Sequence, residues 1–452
     1  MRSRNMPTSM KLTRIGVMVA VAACTATASA QSDTRYRVAP LPRPNGVGYV
    51  SALGLNNSNQ VTGGAFIDGQ TRPFIIADGQ FTVLNQVPGV QTSAWAVNDK
   101  GHVTGWMYEW GVIWPQAFLW DGQQNHWLID PHDSHSYAQG LNNRDQVVGF
   151  YYPPGGHPNG NAFVVTDGEY YNLGGGQATD ISAGGIVVGQ SNRYFGATAV
   201  WTPNGQGGWS LTPLDGMLAT AINEQGTMVV GAGPLVSYLD TAVLWTRQGQ
   251  SWVRTDIGDW DPNTTSTIST DVNNAGQVVG NYESFVDNDR GWLYANGQVT
   301  WLTDRLAPES GDWDVVAASR VNESGVILAE AIRQGESSAA PVLLIPDSVT
   351  ILGPRGDGAG ASNELIAVSA EPGHRVHFIY GFSTGQRSIP GCPGVFAGVS
   401  GPQIIGSAVA DANSEARLRL FIPRAASGRT IYLQAIDATG CEVSNVLRYT
   451  FR

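Results

Sequence analysis

A motif that occurs seven times constrains this chain more than any other feature. Its core is A-x-x-[aliphatic]-N-x-x-x-x-V-[VT]-G, first met as Ala52…Asn56-Asn57…Val61-Thr62-Gly63. It returns at Ala94…Asn98…Val103-Thr104-Gly105, at Ala138…Asn142…Val147-Val148-Gly149 and at Ala178…Ser182…Val187-Val188-Gly189. The later copies are Ala219…Asn223…Val230-Gly231, Ser269…Asn273…Val278-Val279-Gly280 and Ala318…Asn322-Glu323, the last ending on Ala329 in place of Gly. The Asn position, which is Ser182 in the fourth copy, recurs after 42, 44, 40, 41, 50 and 49 residues. A period of that length marks an array whose units cannot bury their apolar faces alone.

Each copy has a second half in which a short apolar run meets a turn, as in Ala117-Phe118-Leu119-Trp120-Asp121-Gly122 and Ala162-Phe163-Val164-Val165 before Asp167-Gly168. Short apolar runs bounded by Asn, Asp and Gly read as strands. The repeat is therefore four strands: a (A-x-x-h-N), b (V-V-G), c (A-F-L-W) and d. Four strands per repeat predict an all-β fold, a seven-bladed β-propeller over residues 31–346. One spare strand, Tyr36–Leu41, precedes the first copy, and the seventh stops at strand c, Val342–Ile345. Pairing the two would complete blade seven and remove an exposed sheet edge. An open β-solenoid is the rival and leaves the spare strand unused.

The pattern S-x-A-x-x-I-N-x-x-G-x-V-V-G followed by A-F-L-W is that of the HAF repeat of exported bacterial proteins, and Ser136-Tyr137-Ala138-Gln139-Gly140-Leu141-Asn142-Asn143 through Gly149 resembles it. The resemblance covers roughly residues 36–346, with departures at Ser182 and Ala329. It implies an extracellular propeller-like scaffold and no established activity.

Residues 1–30 read as a secretory signal: Arg2, Arg4, Lys11 and Arg14, then apolar Ile15 to Ala23, then Ala28-Ser29-Ala30 before Gln31. The expected localisation is secreted or periplasmic; Val21-Ala22-Ala23-Cys24 resembles a lipobox, so lipid anchoring through Cys24 is the alternative. No later run reaches the length of a membrane-spanning helix. The formal net charge of −11 argues against a nucleic-acid surface. Charged residues are only 14% and Gly numbers 56, which speaks against a coiled coil, a helical bundle or a disordered tail.

From Asp347 the repeat stops. About seven apolar or alternating runs between 347 and 452 predict a small immunoglobulin-like β-sandwich. Cys392 and Cys441, both within it, are expected to form a disulfide, as an even cysteine count in an exported chain favours; a metal site is the weaker reading.

Among the common catalytic motifs, H-E-x-x-H and a phosphate loop are missing. His126, Asp130, His132, Asp133 and His135 form the densest ligand-type cluster, but they read as a solvated loop; no metal or cofactor is expected. His374 and His377 read as structural. Asp259 and Asp261 beside Trp260, and Asp312 and Asp314 beside Trp313, are the carboxylate pairs that an alternative function, a polysaccharide hydrolase or lyase, would draw on.

The favoured function is a non-catalytic binding scaffold, a monomer whose ligand is a glycan, a surface polymer or a protein. Antiparallel strands send successive connections to alternate faces, so the tight a–b and c–d turns share one face and the long b–c and d–a connections the other. The b–c loops are expected to present Trp106, Tyr108, Trp110, Trp114, Tyr151, Tyr152 and Tyr194, with Phe195, Tyr238, Tyr282 and Phe285 beyond them. The d–a loops add His132, His135, Trp260 and Trp313. Trp106, Trp110 and Tyr151 are the leading binding candidates; packing between neighbouring sheets is the competing role for such rings.

Overall fold

A computed structural model describes residues 34–451 except 85–90, 109–113, 129–134, 154–159, 193–196, 235–239, 258–265, 285–287, 308–309, 347–348, 357, 371, 391, 393–395, 413 and 440–441. Among the described residues the chain is all-β: there is no α-helix, only 3-10 turns such as Thr303–Arg305 and Arg424–Ala426. No helix among them is long and apolar enough to cross a membrane.

Each repeat forms an antiparallel sheet in the order a-b-c-d. In repeat two the strands are Thr92–Val97, Val103–Met107, Gln116–Trp120 and Asn125–Trp127. In repeat three they are His135–Leu141, Val147–Tyr152, Asn161–Thr166 and the start of Glu169–Ile181. That last strand departs from the expected pattern. It continues without a connection into strand a of repeat four and couples the two sheets. Within it Gly174 and Gly176, at φ 97° and 141°, let the backbone bend and go on pairing.

In repeat seven, Trp313–Val321, Ile327–Arg333 and Ala340–Pro346 are followed in the sheet by the amino-terminal strand Tyr36–Pro40. Tyr36 lies opposite Pro346 and Pro40 opposite Val342. The Tyr36 side chain is fully buried, in a cluster with Leu302, Val315 and Leu344.

The repeat motif has a structural reason at nearly every position. The a–b ladder shifts register at the same place in all seven copies, for example between Ala138 and Gly140 and between Ala178 and Asp180. This bulge turns strand a sharply just before the Asn. The Asn side chain then holds the turn. Asn142 Oδ1 accepts from Arg144 N and Gln146 N, and Nδ2 donates to Ser182 O of the next repeat. Three residues after the Asn the backbone is left-handed in every copy, at Asn59, Gly101, Asp145, Gly185, Gly226, Gly276 and Gly325.

The V-V-G glycine is a close-approach residue: a Cβ on Gly149 would lie 1.9 Å from Tyr137 O. Repeat seven carries Ala329 there, and its strand a has a second bulge, between Val315 and Ala317, just upstream of the facing Ala318.

Beyond the repeats, Thr350–Gly356, Ser362–Val368 and Ala416–Phe421 form one sheet. Gln403–Val409, Arg375–Gly381 and Thr430–Asp437 form another, joined by Glu442–Val443 and Leu447–Thr450. Val349, Leu365, Val376, Phe378, Leu433 and Phe451 share a core between them.

Candidate functional site

Two places gather chemistry. The first is a run of aromatic rings across repeats two and three. Strand periodicity builds it: His135 and Tyr137 share a face of strand a, and Phe150 and Tyr152 share the same face of strand b. In the ladder Tyr137 sits opposite Phe150, and His135 opposite Tyr152. Tyr137 and Phe150 stack at 5.1 Å, and Phe150 meets Tyr152 edge-on at 5.6 Å. Trp106, from strand b of repeat two, touches both Tyr108 at 5.5 Å and Tyr137 at 6.2 Å. At the other end Tyr152 meets His135 at 6.0 Å, and His135 lies 3.9 Å from Trp114. The run is thus Tyr108, Trp106, Tyr137, Phe150, Tyr152, His135, Trp114. Phe150 is buried, Trp114 is 40% exposed, and the other five are half-buried.

The strip is uncharged near neutral pH. Burial holds the His135 imidazole below its usual value, which favours the neutral ring. Burial, then the neighbouring Tyr108 and Tyr152, hold the Tyr137 phenol above its usual value.

Trp106, Tyr151 and Tyr152 were expected on loops; they lie on strand b, which keeps its pairing with strands a and c beyond the V-V-G. Of the seven candidates, Trp106, Tyr108, Trp114 and Tyr152 come together in the strip. Tyr151 points to the other face of its sheet. It packs edge-on against Tyr170 at 5.8 Å, and its hydroxyl accepts from Asn172 Nδ2 at 3.1 Å. Trp110 and Tyr194 lie outside the described residues, as do Phe195, Tyr238, Phe285, His132, Trp260 and the pair Asp259 and Asp261. Tyr282, expected on a loop, is 2% exposed and sits in the core against Trp301. Trp313 lies under the Arg333 guanidinium at 5.7 Å.

Tyr137 and Phe150 are the strip members that pattern reading missed. The available signal was a bulky ring at Tyr137 where repeats one and two carry Ser51 and Ser93.

The second place is a cavity of about 150 Å³ lined by strand a of all seven repeats and by the a–b turns of every repeat but the sixth. Two residues before the motif Asn it carries Asp180, Asp271 and Arg320. Each carboxylate ties two repeats together. Asp180 accepts from Ile181 N and, in repeat five, from Ile222 N; Asp271 accepts from Val272 N and, in repeat seven, from Val321 N. Burial, reinforced by Asp271, pushes the Asp180 carboxyl up to about 7, against the pull of Ile222 N–H and Arg320. With both oxygens of each carboxylate taken by backbone N–H groups, these are structural ties.

Asp130 and Asp133 lie outside the described residues; the other sequence candidates have local partners. His126 bonds Asp121 at 2.6 Å, Asp312 holds Arg333 and Asp314 accepts from Thr303 Oγ1. His374 bonds buried Asp437 at 2.8 Å, and His377 bonds Ser407. Cys392 is buried with Sγ 3.9 Å from Ala438 O; Cys441 lies outside the described residues.

No protein-family description matches the chain. No curated protein matches it either. Among solved structures it is similar to TolB from Acinetobacter baumannii at 8% identity and TM-score 0.33, over 58% of this chain and 61% of that one. The chain thus spans about three fifths of TolB's length. It is also similar to the beta-propeller domain of the Trilobed protease from Pyrococcus furiosus, at 8% identity and TM-score 0.33, over 72% of this chain and 91% of that one. A third is the WD40 domain of SCAP from fission yeast, at 10% identity and TM-score 0.22, over 92% and 90%.

Proposed function

We propose that the seven repeats are blades of one closed β-propeller, and that it is a non-catalytic binding scaffold for a neutral glycan or surface polymer. The observation that carries the ligand class is the seven-ring strip. Half-buried aromatic rings with no formal charge suit the apolar CH faces of sugar rings, while the Tyr hydroxyls supply polar handles.

Two sets of contacts support closure. The amino-terminal strand pairs with repeat seven, and the turn of repeat seven bonds the turn of repeat one: Asn322 Nδ2 donates to Asn56 O at 3.0 Å and Glu323 N to Asn57 Oδ1 at 2.9 Å.

The same reading includes export after removal of residues 1–30, likeness to HAF-repeat proteins, an immunoglobulin-like module over 347–452 and a Cys392–Cys441 disulfide. Thiol titration of the exported, unreduced protein should find neither cysteine free; two reactive thiols would exclude the bridge.

A glycan array probed with the chain from Gln31 onward, run beside a sugar-release assay, tests the function. Binding without release is the expected result. Release of sugar would make it a hydrolase or lyase, and an array without any bound glycan would overturn the ligand class.

A further inference from the structure

One end of the seven-repeat cavity is acidic. The residue after the motif Asn is Asn57, Asp99, Asn143, Ala183, Glu224, Asn274 and Glu323 in successive repeats, so three carboxyls face one mouth. Asn57 gathers them. Its Nδ2 donates to Asp99 Oδ2 at 3.2 Å and, across the mouth, to Glu224 Oε1 at 2.6 Å; its Oδ1 accepts from Glu323 N at 2.9 Å.

A cation from another part of the chain already sits here. Arg355, on the Thr350–Gly356 strand of the carboxy-terminal module, donates from Nη2 to Asn57 O at 2.8 Å. The local sequence presents it. The ladder with Ser362–Val368 shifts register between Leu352 and Arg355, where Gly353 and Pro354 stand against the single Leu365. Glu364, opposite Arg355 in the ladder, is engaged by Arg417 at 3.1 Å and Arg419 at 3.0 Å.

The electrostatics agree. Burial, then Glu224, pushes the Glu323 carboxyl up to about 8; burial, then Asp99, raises that of Glu224; Arg355 opposes both shifts.

We propose that this mouth is the seat of the carboxy-terminal module. Arg355 docks there against the Glu224, Glu323 and Asp99 carboxylates, closing that end of the cavity. Ligand is left the opposite end, to which strand b runs and where the aromatic strip lies. The seat rests on the seven repeats forming one ring.

Carbodiimide coupling of full-length Arg355→Lys tests it. From Gln31 onward the chain holds one native lysine, Lys100, whose 2.7 Å pair with Asp145 serves as an internal positive control. The expected peptide joins the introduced lysine to Glu224, Glu323 or Asp99, and its yield falls at least tenfold when Glu224→Gln, Glu323→Gln and Asp99→Asn are added to the same chain. Coupling of Lys100 to Asp145, with the introduced lysine unlinked or linked only to Glu364, overturns the seat. Hydrogen exchange on the same sample separates the two levels. A protected Glu323 amide with the introduced lysine unlinked refutes the seat alone, whereas a freely exchanging Glu323 amide refutes the ring beneath it.

Discussion

The motif Asn shows why one residue type recurs at one place. It satisfies two backbone N–H groups of its own turn and, at Asn56, Asn98, Asn142, Asn273 and Asn322, reaches the next repeat, work that Ser182 covers in part with a single bond from Ile186 N to its Oγ. Asn142→Ala leaves buried N–H and C=O groups without partners, at a cost of about 1–3 kcal/mol for such a group. Urea denaturation should show that loss, and Ser182→Ala should cost less. At this scale the sequence was highly legible, because turn chemistry is local. The strip was less so: Tyr137 acquires its meaning only from Phe150 across the ladder and Trp106 in the neighbouring repeat, and neither is close in sequence.

Strands add what residues alone do not. The amino-terminal strand contributes Tyr36 to the core of repeat seven, and there its hydroxyl is buried without a hydrogen-bond partner. Burial raises that phenol far above its usual value. Tyr36→Phe removes an unpaired polar group while keeping the packing, so the variant should melt at the same temperature as the parent or higher. A chain lacking residues 31–40 should instead aggregate on mild warming, followed by light scattering, because Ala340–Pro346 would become an open edge. Strand existence was readable from apolar runs and turn residues. Strand length was not: Val147–Tyr152 and Glu169–Ile181 outrun their motifs because cross-strand bonds, which no local pattern encodes, continue past the glycines.

For the whole molecule, the raised carboxyls set a pH dependence. Glu323 holds its proton more tightly folded than unfolded, so its contribution to stability is fully present below about 4.5, the ordinary value, and is lost as pH rises toward about 8. The melting temperature should therefore decline across that window, and Glu323→Gln should make the decline shallower. A slope unchanged by Glu323→Gln would remove this carboxyl from the account. None of this was legible beforehand, since Glu224 and Glu323 are distant in the chain and meet only where repeats five and seven share the cavity. The central claim is that the strip on repeats two and three is a binding surface, not packing between sheets. Its most direct measurement is titration of the protein with a glycan that it retains on an array, comparing the parent with Trp106→Ala and Trp114→Ala and recording melting temperatures in parallel. The account predicts at least a tenfold loss of affinity in each variant with little change in melting temperature; affinity retained while stability falls by several kcal/mol would contradict it.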